Sequence, residues 1–322
     1  MIYLTEEDIL KAVSFDDLLD AIEASMYMYE KKEFHMPPRL HIDHEDNTLL
    51  LMPCFIKDYF GTKLVSLFPR NPEKNIPVLN GIMVLNDAQT GLPVALLNGP
   101  ALTALRTAAV GSVSIRHLTA ENTQSLGIIG AGVQGFYQAW IACSARNLKD
   151  IFIFDVNREK TTALIDKLSK VIYGVKLHQA DCVEDLLEKS QVVITATTSS
   201  EPVLPNNEEL LAGKHFVGIG SYKPSIREFP EALFNLLKTV LIDTDHALEE
   251  SGDLIVPLQN NWIKQEQVMT LGRFLIENKP QDDMKNETTF FKSVGMALFD
   301  VCASKLIYEK AIQKGLGQNI TL

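Results

Sequence analysis

The sequence predicts an α/β protein in which a doubly wound parallel sheet follows a discontinuous α+β module. Short apolar runs alternate with helical stretches from about residue 123 to residue 243, which is typical of a parallel sheet. A glycine-rich turn near residue 130 joins one such run directly to a helical stretch. Before residue 100, extended segments are separated by turn residues without helices between them, which indicates an antiparallel sheet.

Composition limits the class of protein and its partners. A chain of 322 residues that is 46% hydrophobic and 22% charged is long enough for two globular domains. Its net charge of −11 argues against nucleic acid and anionic membrane surfaces as partners. Residues 1–8 lack a basic region and a long apolar stretch, and no run approaches membrane-spanning length, so we expect neither a signal peptide nor a membrane span. Because the four cysteines have neither metal nor redox spacing, we expect no metal site and a cytoplasmic protein with reduced thiols.

The first module begins with a predicted helix over residues 5–32, with Thr5 and Ser14 as candidate N-caps, and Pro37-Pro38 ends it. Alternation and turn residues then predict antiparallel strands over residues 39–43, 48–52, 61–68, 78–86 and 94–98, followed by a helix over 100–118.

In the second module, parallel strands are predicted over residues 125–129, 150–154, 175–178, 191–196, 215–220 and 239–243, with helices between them. Residues 251–253 are interpreted as a turn after a solvated helix end, and residues 281–287 as a solvated loop. A long helix over residues 290–314 is expected to return to the first module. The predicted domains are therefore residues 1–118 with 292–322, and residues 119–291.

The glycine-rich turn reads Gly130-Ala131-Gly132-Val133-Gln134-Gly135, a G-x-G-x-x-G pattern between strand and helix. In this context the pattern predicts a Rossmann dinucleotide site, since its glycines permit a tight turn, close approach of a pyrophosphate and close helix packing. Asp155 ends the next predicted strand, 20 positions after Gly135, where an acid contacts the adenosine ribose. A carboxylate there repels a 2′-phosphate, so NAD(H) is preferred, although Arg158 leaves NADP(H) open.

Three cations lie on otherwise apolar segments of the first module: Arg39, Lys63 and Arg106. Lys63 alternates with Val65 and Leu67 on one strand face, so its side chain is expected to point inward. For each cation alone, a surface ion pair is the better explanation. Together, beside a nicotinamide site, they indicate a carboxylate clamp and a proton donor.

Taken together, these motifs resemble the ornithine cyclodeaminase/mu-crystallin family over essentially the whole chain. The matching stretches are Pro38-Arg39, Gly61-Thr-Lys63-Leu-Val-Ser66, residues 87–96, Leu102-Thr-Ala-Leu-Arg-Thr-Ala-Ala109, residues 130–134, Glu250-Ser-Gly252, Phe291-Lys-Ser-Val-Gly295 and residues 314–317. The resemblance implies a Rossmann domain, a substrate domain that forms a homodimer, and hydride transfer between nicotinamide and a carbon bearing an amine or imine.

The resemblance also implies roles for individual residues. Arg39 and Arg106 would bind the carboxylate of a small amino- or imino-acid substrate, and Lys63 would be the proton donor. The residues implied to hold or border the cofactor are Gly130, Ala131, Gly132, Val133, Gln134, Asp155, Thr197, Ser293, Val294 and Gly295.

Two departures from the family pattern bear on the reaction. Tyr222 stands where the cyclodeaminases have an aspartate before Pro224, and Asn98 replaces an acid that many relatives carry. Both departures favour an NAD(P)H-dependent imino-acid reductase or amino-acid dehydrogenase. Ornithine cyclodeaminase and a non-catalytic mu-crystallin-like binding protein remain the alternatives.

Overall fold

The computed structural model describes residues 1–221, 223–277 and 287–321. The chain divides into two compact units, Met1–Arg106 with Met296–Leu322, and Thr107–Gly295. As domains, residues 1–118 with 292–322 and residues 119–291 stay a prediction, and they differ from these units in the assignment of residues 107–118 and 292–295. Within the described residues, no helix is both long and apolar enough to span a membrane.

The strands are numbered in chain order: β1 Ile2–Leu4, β2 Leu40–His44, β3 Asn47–Phe55, β4 Tyr59–Leu67, β5 Leu79–Asp87, β6 Pro93–Asn98, β7 Ser125–Ile129, β8 Asp150–Phe154, β9 Lys176–Gln179, β10 Val192–Thr195, β11 His215–Gly218, β12 Val240–Ile242, β13 Val268–Thr270, β14 Thr289–Lys292 and β15 Gln318–Asn319. The helices are α1 Glu6–Ala12, α2 Phe15–Lys31, α3 Gly99–Leu118, α4 Val133–Ala145, α5 Arg158–Leu168, α6 Val183–Lys189, α7 Glu208–Leu211, α8 Glu231–Asn235, α9 Ala247–Glu250, α10 Gly252–Gln259, α11 Leu271–Glu277 and α12 Ala297–Lys314.

The first unit contains a seven-stranded sheet in the order β15-β1-β6-β5-β4-β3-β2. The five predicted strands are confirmed, and β2 to β6 pair antiparallel as expected. Strands β1 and β15 were not predicted, because they are too short to show periodicity. The single helix predicted over residues 5–32 is wrong, because Val13 is extended and Ser14 caps a second helix, α2.

The two faces of this sheet differ in burial. Met52, Lys63, Met83 and Leu97 are aligned in one row across β3 to β6, and all four are buried. Helix α12 packs on β3, β4 and β5. Alternation of side chains along a strand places the neighbouring residues on the opposite face. The inward orientation predicted for Lys63 is therefore observed.

The second unit contains an eight-stranded parallel sheet in the order β13-β12-β14-β11-β10-β7-β8-β9. The predicted doubly wound sheet is confirmed, and its order reverses at β7. The helix predicted over residues 290–314 is wrong in its first part, because residues 289–292 form β14 and the helix begins at Ala297. Since β14 lies between β11 and β12, all four of its residues are buried, and so short an apolar run is consistent with either element.

The carboxyl ends of five parallel strands are level with one another. In register, Ile129, Thr195, Gly218, Lys292 and Ile242 form one row across β7, β10, β11, β14 and β12. Loops that follow this row therefore leave the sheet along one edge, where α/β proteins of this kind bind their ligands.

Candidate functional site

The glycine-rich turn has the geometry that close approach of a ligand requires. Gly130 has a φ of 107°, and a Cβ there would lie 2.5 Å from the Ala196 carbonyl oxygen. A Cβ at Gly135 would lie 2.1 Å from the carbonyl oxygen of Gly130. Gly132, the N-cap of α4, has no atom within 4 Å of an added Cβ. The turn therefore packs tightly against the protein at Gly130 and Gly135, whereas the space next to Gly132 is open. A pyrophosphate site needs this open space.

Asp155 follows β8 directly and is held by the backbone on both sides. Its Oδ2 accepts a hydrogen bond from the Ala131 N–H at 2.8 Å, and its Oδ1 accepts one from the Asn157 N–H at 2.8 Å. Each carboxylate oxygen keeps a lone pair for another donor, such as a ribose hydroxyl. The Arg158 guanidinium instead lies 3.4 Å from the Asp181 carboxylate on the surface.

Thr197 lies in the loop after β10. Its N–H and its Oγ1 donate hydrogen bonds to Glu228 Oε1, at 2.7 and 2.8 Å. Glu228 has no exposed surface. The position of Thr197 is thus set by a buried carboxylate that the sequence analysis did not identify.

Residues 293–295 form the loop after β14 and are bound to a second buried carboxylate. Asp243 Oδ2 accepts hydrogen bonds from Ser293 Oγ at 2.7 Å, from the Val294 N–H at 3.1 Å and from the Gly295 N–H at 2.7 Å. Gly295 has a φ of 76°, a conformation that favours glycine. Four of the elements predicted to border a cofactor, the turn after β7 and the loops after β8, β10 and β14, therefore follow strands of one sheet edge.

The first unit holds a buried cluster around Asp300, in the first turn of α12. Lys63 Nζ lies 2.9 Å from Asp300 Oδ1 and 2.8 Å from Oδ2, and Arg106 Nε donates to Oδ1 at 2.9 Å. Lys63, Arg106 and Asp300 expose at most 6% of their side chains. Buried charges are stable only when paired. Asp300 therefore allows two cations to be retained on an apolar face.

The Lys63 ammonium is electrostatically unusual. Burial lowers its pKa to about 8; Asp300 opposes this shift, while Arg106 and Arg39 add to it by repulsion. Arg39 is half-buried just before β2 and lies close enough to act on the pKa of Lys63. The structure thus joins two of the three predicted cations through Asp300, and the third, Arg39, is linked to them only by its effect on the pKa of Lys63. A lysine with a pKa near neutrality is suited to proton transfer.

Two buried acids, Asp300 and Asp253, were not predicted as site residues. Asp300 was included in a helix predicted to have apolar positions throughout, and its place as the one acid among residues 294–303 was the available signal. Asp253 lies in the segment predicted as a turn, but it is fully buried at the start of α10.

Asn98 Oδ1 accepts a hydrogen bond from the Ala101 N–H at 2.9 Å and so caps α3. Tyr222 lies outside the described residues. Among those that are described, no group of His, Cys, Asp or Glu could hold a metal ion.

Comparison with known proteins gives relatives that match the chain over nearly its full length. A model of the ornithine cyclodeaminase/mu-crystallin family matches residues 1–315. The chain is 30% identical over 326 residues to a Δ1-pyrroline-2-carboxylate reductase of Bacillus cereus (strain ZK / E33L), with 99% of each protein covered.

Two solved structures are similar along the whole chain. The Thermococcus litoralis Δ1-pyrroline-2-carboxylate reductase in complex with NADH and L-proline is 31% identical, with a TM-score of 0.91 over 99% of this chain and 100% of that one. An archaeal alanine dehydrogenase dimer with bound NAD is 26% identical, with a TM-score of 0.89 over 100% of this chain and 99% of that one.

Proposed function

Because the chain belongs to the ornithine cyclodeaminase/mu-crystallin family, we propose that it reduces a small cyclic imino acid, Δ1-pyrroline-2-carboxylate or a close analogue, with NADH. The observation that carries this proposal is the buried Lys63, held by Asp300 and flanked by two arginines. An imino acid has a carboxylate that needs cations and a nitrogen that must gain a proton. The cluster supplies both.

The second unit is proposed to bind the dinucleotide. The open cradle at Gly132 and the start of α4 fit its pyrophosphate, and Asp155 fits the adenosine ribose. The same carboxylate would repel a 2′-phosphate, so we propose that NADH binds more tightly than NADPH. When bound, the reduced nicotinamide supplies a hydride to the imine carbon.

Lys63 is proposed as the proton donor for the imine nitrogen. Its ammonium form predominates below a pKa of about 8, so it carries a transferable proton at neutral pH. When the carbon gains the hydride, one N–H bond forms at the substrate nitrogen, and Lys63 is left as a neutral amine. The pKa near neutrality favours both this step and reprotonation from water.

Arg106 and Arg39 are proposed to bind the substrate carboxylate. Arg106 uses Nε for Asp300, which fixes the plane of its guanidinium and leaves the terminal nitrogens for a carboxylate. Arg39 acts on Lys63 from the segment before β2, so it adds positive charge to the same region. A carboxylate bound in this way would orient the imine carbon for hydride transfer.

One substrate panel distinguishes the reductase from the other functions. We expect NADH oxidation with pyrroline-2-carboxylate, piperideine-2-carboxylate, or pyruvate plus an amine.

Ammonia release from ornithine without net NADH consumption would instead indicate a cyclodeaminase. The sequence over residues 218–224 has no carboxylate before Pro224, which disfavours that reaction. Binding of NADH without turnover on any compound would indicate a binding protein. Lys63→Met is the control for turnover at this site.

The first unit is proposed to form the interface of a homodimer. Leu51, Leu64 and Ile82 are aligned in one row across β3 to β5, on the face opposite Lys63, and Leu64 and Ile82 are each 38% exposed. Leu40, which pairs with Leu51, extends this row and is 52% exposed. A continuous apolar sheet face is a candidate for burial by a second copy. The dimeric alanine dehydrogenase relative supports this proposal.

A reducing compartment, the cytoplasm, is proposed as the location. All four cysteines are free thiols. Burial raises the pKa of Cys54 and Cys302 to about 12 and that of Cys143 to about 11, so these thiols stay protonated and unreactive. Localisation by fractionation of the source cells tests the assignment.

A further inference from the structure

We propose that Glu228 is a positioning residue that organises the nicotinamide half of the cofactor site, an inference that rests on the proposed binding of NADH. Glu228 precedes α8 and lies in none of the segments identified from the sequence. Its side chain is completely buried and reaches the edge where β10, β11 and β14 end. From this buried position, Glu228 is hydrogen-bonded to the loops that follow these strands.

The two carboxylate oxygens of Glu228 accept four hydrogen bonds, from the last residue of β10 and from the loops after β10 and β11. Oε1 accepts from the N–H and Oγ1 of Thr197, at 2.7 and 2.8 Å. Oε2 accepts from Thr195 Oγ1 at 2.9 Å and from the Gly220 N–H at 2.8 Å. One carboxylate thus joins the loop after β10 to the loop after β11. An amide in its place would present an NH₂ group to at least one backbone N–H.

The surroundings of Gly220 are independent evidence that the loops after β10 and β11 are in close contact. A Cβ at Gly220 would lie 2.1 Å from the Thr197 carbonyl oxygen and 2.6 Å from Glu228 Oε1. No side chain can be accommodated there without displacing this carboxylate or the Thr197 backbone. The two loops are therefore packed directly against each other around Glu228.

A buried cation and a second acid accompany Glu228. Lys292 ends β14 without exposed surface, and its Nζ lies 3.4 Å from Asp253 Oδ2. Asp253 Oδ1 accepts from the N–H groups of Glu228 and Phe229, at 2.7 and 3.1 Å. Burial, together with the Asp253 charge, holds the pKa of Glu228 above its usual value, and the Lys292 ammonium opposes this rise. Lys292 thereby favours the ionised form that can accept from all four donors.

The topology assigns this cluster to one half of the dinucleotide. The glycine-rich turn follows β7, and Asp155 follows β8 on one side of it. Strands β10, β11 and β14 lie on the other side of β7. In a doubly wound sheet the two mononucleotide halves bind on opposite sides of the switch point. The loops after β10 and β11, which Glu228 joins, consequently face the nicotinamide half. Binding of the adenine half does not depend on these loops.

The test compares NADH with ADP, which lacks the nicotinamide half. In Glu228→Gln we expect the Kd for NADH to rise roughly tenfold or more, as the loss of a charge-assisted hydrogen bond implies. The Kd for ADP should be unchanged. Thr195→Val removes one donor at nearly constant volume and should weaken NADH binding in the same direction. Thr195→Ser keeps the hydroxyl and should bind both ligands as the wild type does.

Several results would overturn the assignment. Equal loss of NADH and ADP affinity in folded Glu228→Gln would indicate a general structural role. Wild-type NADH binding in both Glu228→Gln and Thr195→Val would exclude positioning, and Thr195→Val decides the matter where Glu228→Gln does not fold. If the wild-type protein bound neither NADH nor ADP, the proposed function itself would be wrong.

Discussion

Replacing Asp300 by asparagine should move the pH range in which the protein reduces its imine substrate to lower pH. The substitution keeps the shape of the side chain but removes the negative charge that lies 2.8 Å from Lys63 Nζ. The folded-state pKa of Lys63 is already lowered to about 8 by burial, and Asp300 is the main influence that opposes this. Without it, the pKa should fall further.

The size of the shift follows from Coulomb's law. Two unit charges at this separation attract by roughly 6 kcal/mol at an effective dielectric constant of about 20. If about one third of that survives relaxation and water entry, the pKa falls by about 1.5 units, to about 6.5. The ammonium fraction then drops about fourfold at pH 7 and about fifteenfold at pH 8. At pH 6 most of the proton donor should be restored.

The assay is imine reduction by NADH, measured as kcat/KM against pH for wild type and Asp300→Asn with one substrate. With the protonated lysine as the proposed donor, reduction should be lost as pH rises through about 8 in the wild type. Oxidation of the product amine should show the opposite dependence. In Asp300→Asn the fall of kcat/KM with rising pH should occur at lower pH than in the wild type.

Two variants serve as controls. Asp46→Asn makes the same change at an exposed carboxylate of the first unit and should leave the profile unchanged. Lys63→Met removes the donor, so its loss of about 10²–10⁴ in rate should not be recovered in acid. Superimposable profiles for wild type and Asp300→Asn would refute the role of Asp300. Full turnover by Lys63→Met would refute the proton donor and direct attention to Tyr222 or a bound water.

Three further outcomes are expected. Arg39→Ala and Arg106→Ala should each raise KM by roughly ten- to a hundredfold with a smaller effect on kcat, because a charge-assisted hydrogen bond contributes about 1.5–3 kcal/mol; a selective fall in kcat in steady-state assays would contradict the carboxylate clamp. Asp155→Ala should narrow the difference in Kd between NADH and NADPH, measured by cofactor fluorescence, and an unchanged ratio would exclude Asp155 as the discriminating residue. Leu64→Lys should convert a dimer to a monomer in light scattering, because a charge would be buried in the proposed interface, whereas an unaltered dimer would place the interface elsewhere.

The sequence predicted those parts of the fold whose local pattern and tertiary environment agree. Strands β7 and β8 have the predicted bounds, and the N-caps Thr5 and Ser14 are both observed. Strand β14 was missed because Phe290 and Phe291 belong to an apolar run whose period fits a helix as well as a buried strand. Only its neighbours β11 and β12 decide between the two.

For the site, the sequence predicted the cations but not the carboxylates that hold them. An acid such as Asp300 or Glu228 ordinarily indicates a solvent-facing position, because burial of an unpaired carboxylate is unfavourable. Its burial becomes stable only through partners distant in the chain. Asp300 is 237 residues from Lys63, and Glu228 is 33 residues from Thr195. Local periodicity contains no information about such pairs.

The distance along the chain between Lys63 and Asp300 has a consequence for biosynthesis. Residues 107–295 leave the ribosome before α12 does, so the sheet of the second unit can assemble while the first unit still lacks this helix. Until residue 300 emerges, Lys63 and Arg106 have no carboxylate to stabilise them, and the nascent polypeptide has no assembled proton donor. If Lys63 is the proton donor proposed above, the nascent polypeptide stays inactive until α12 is added.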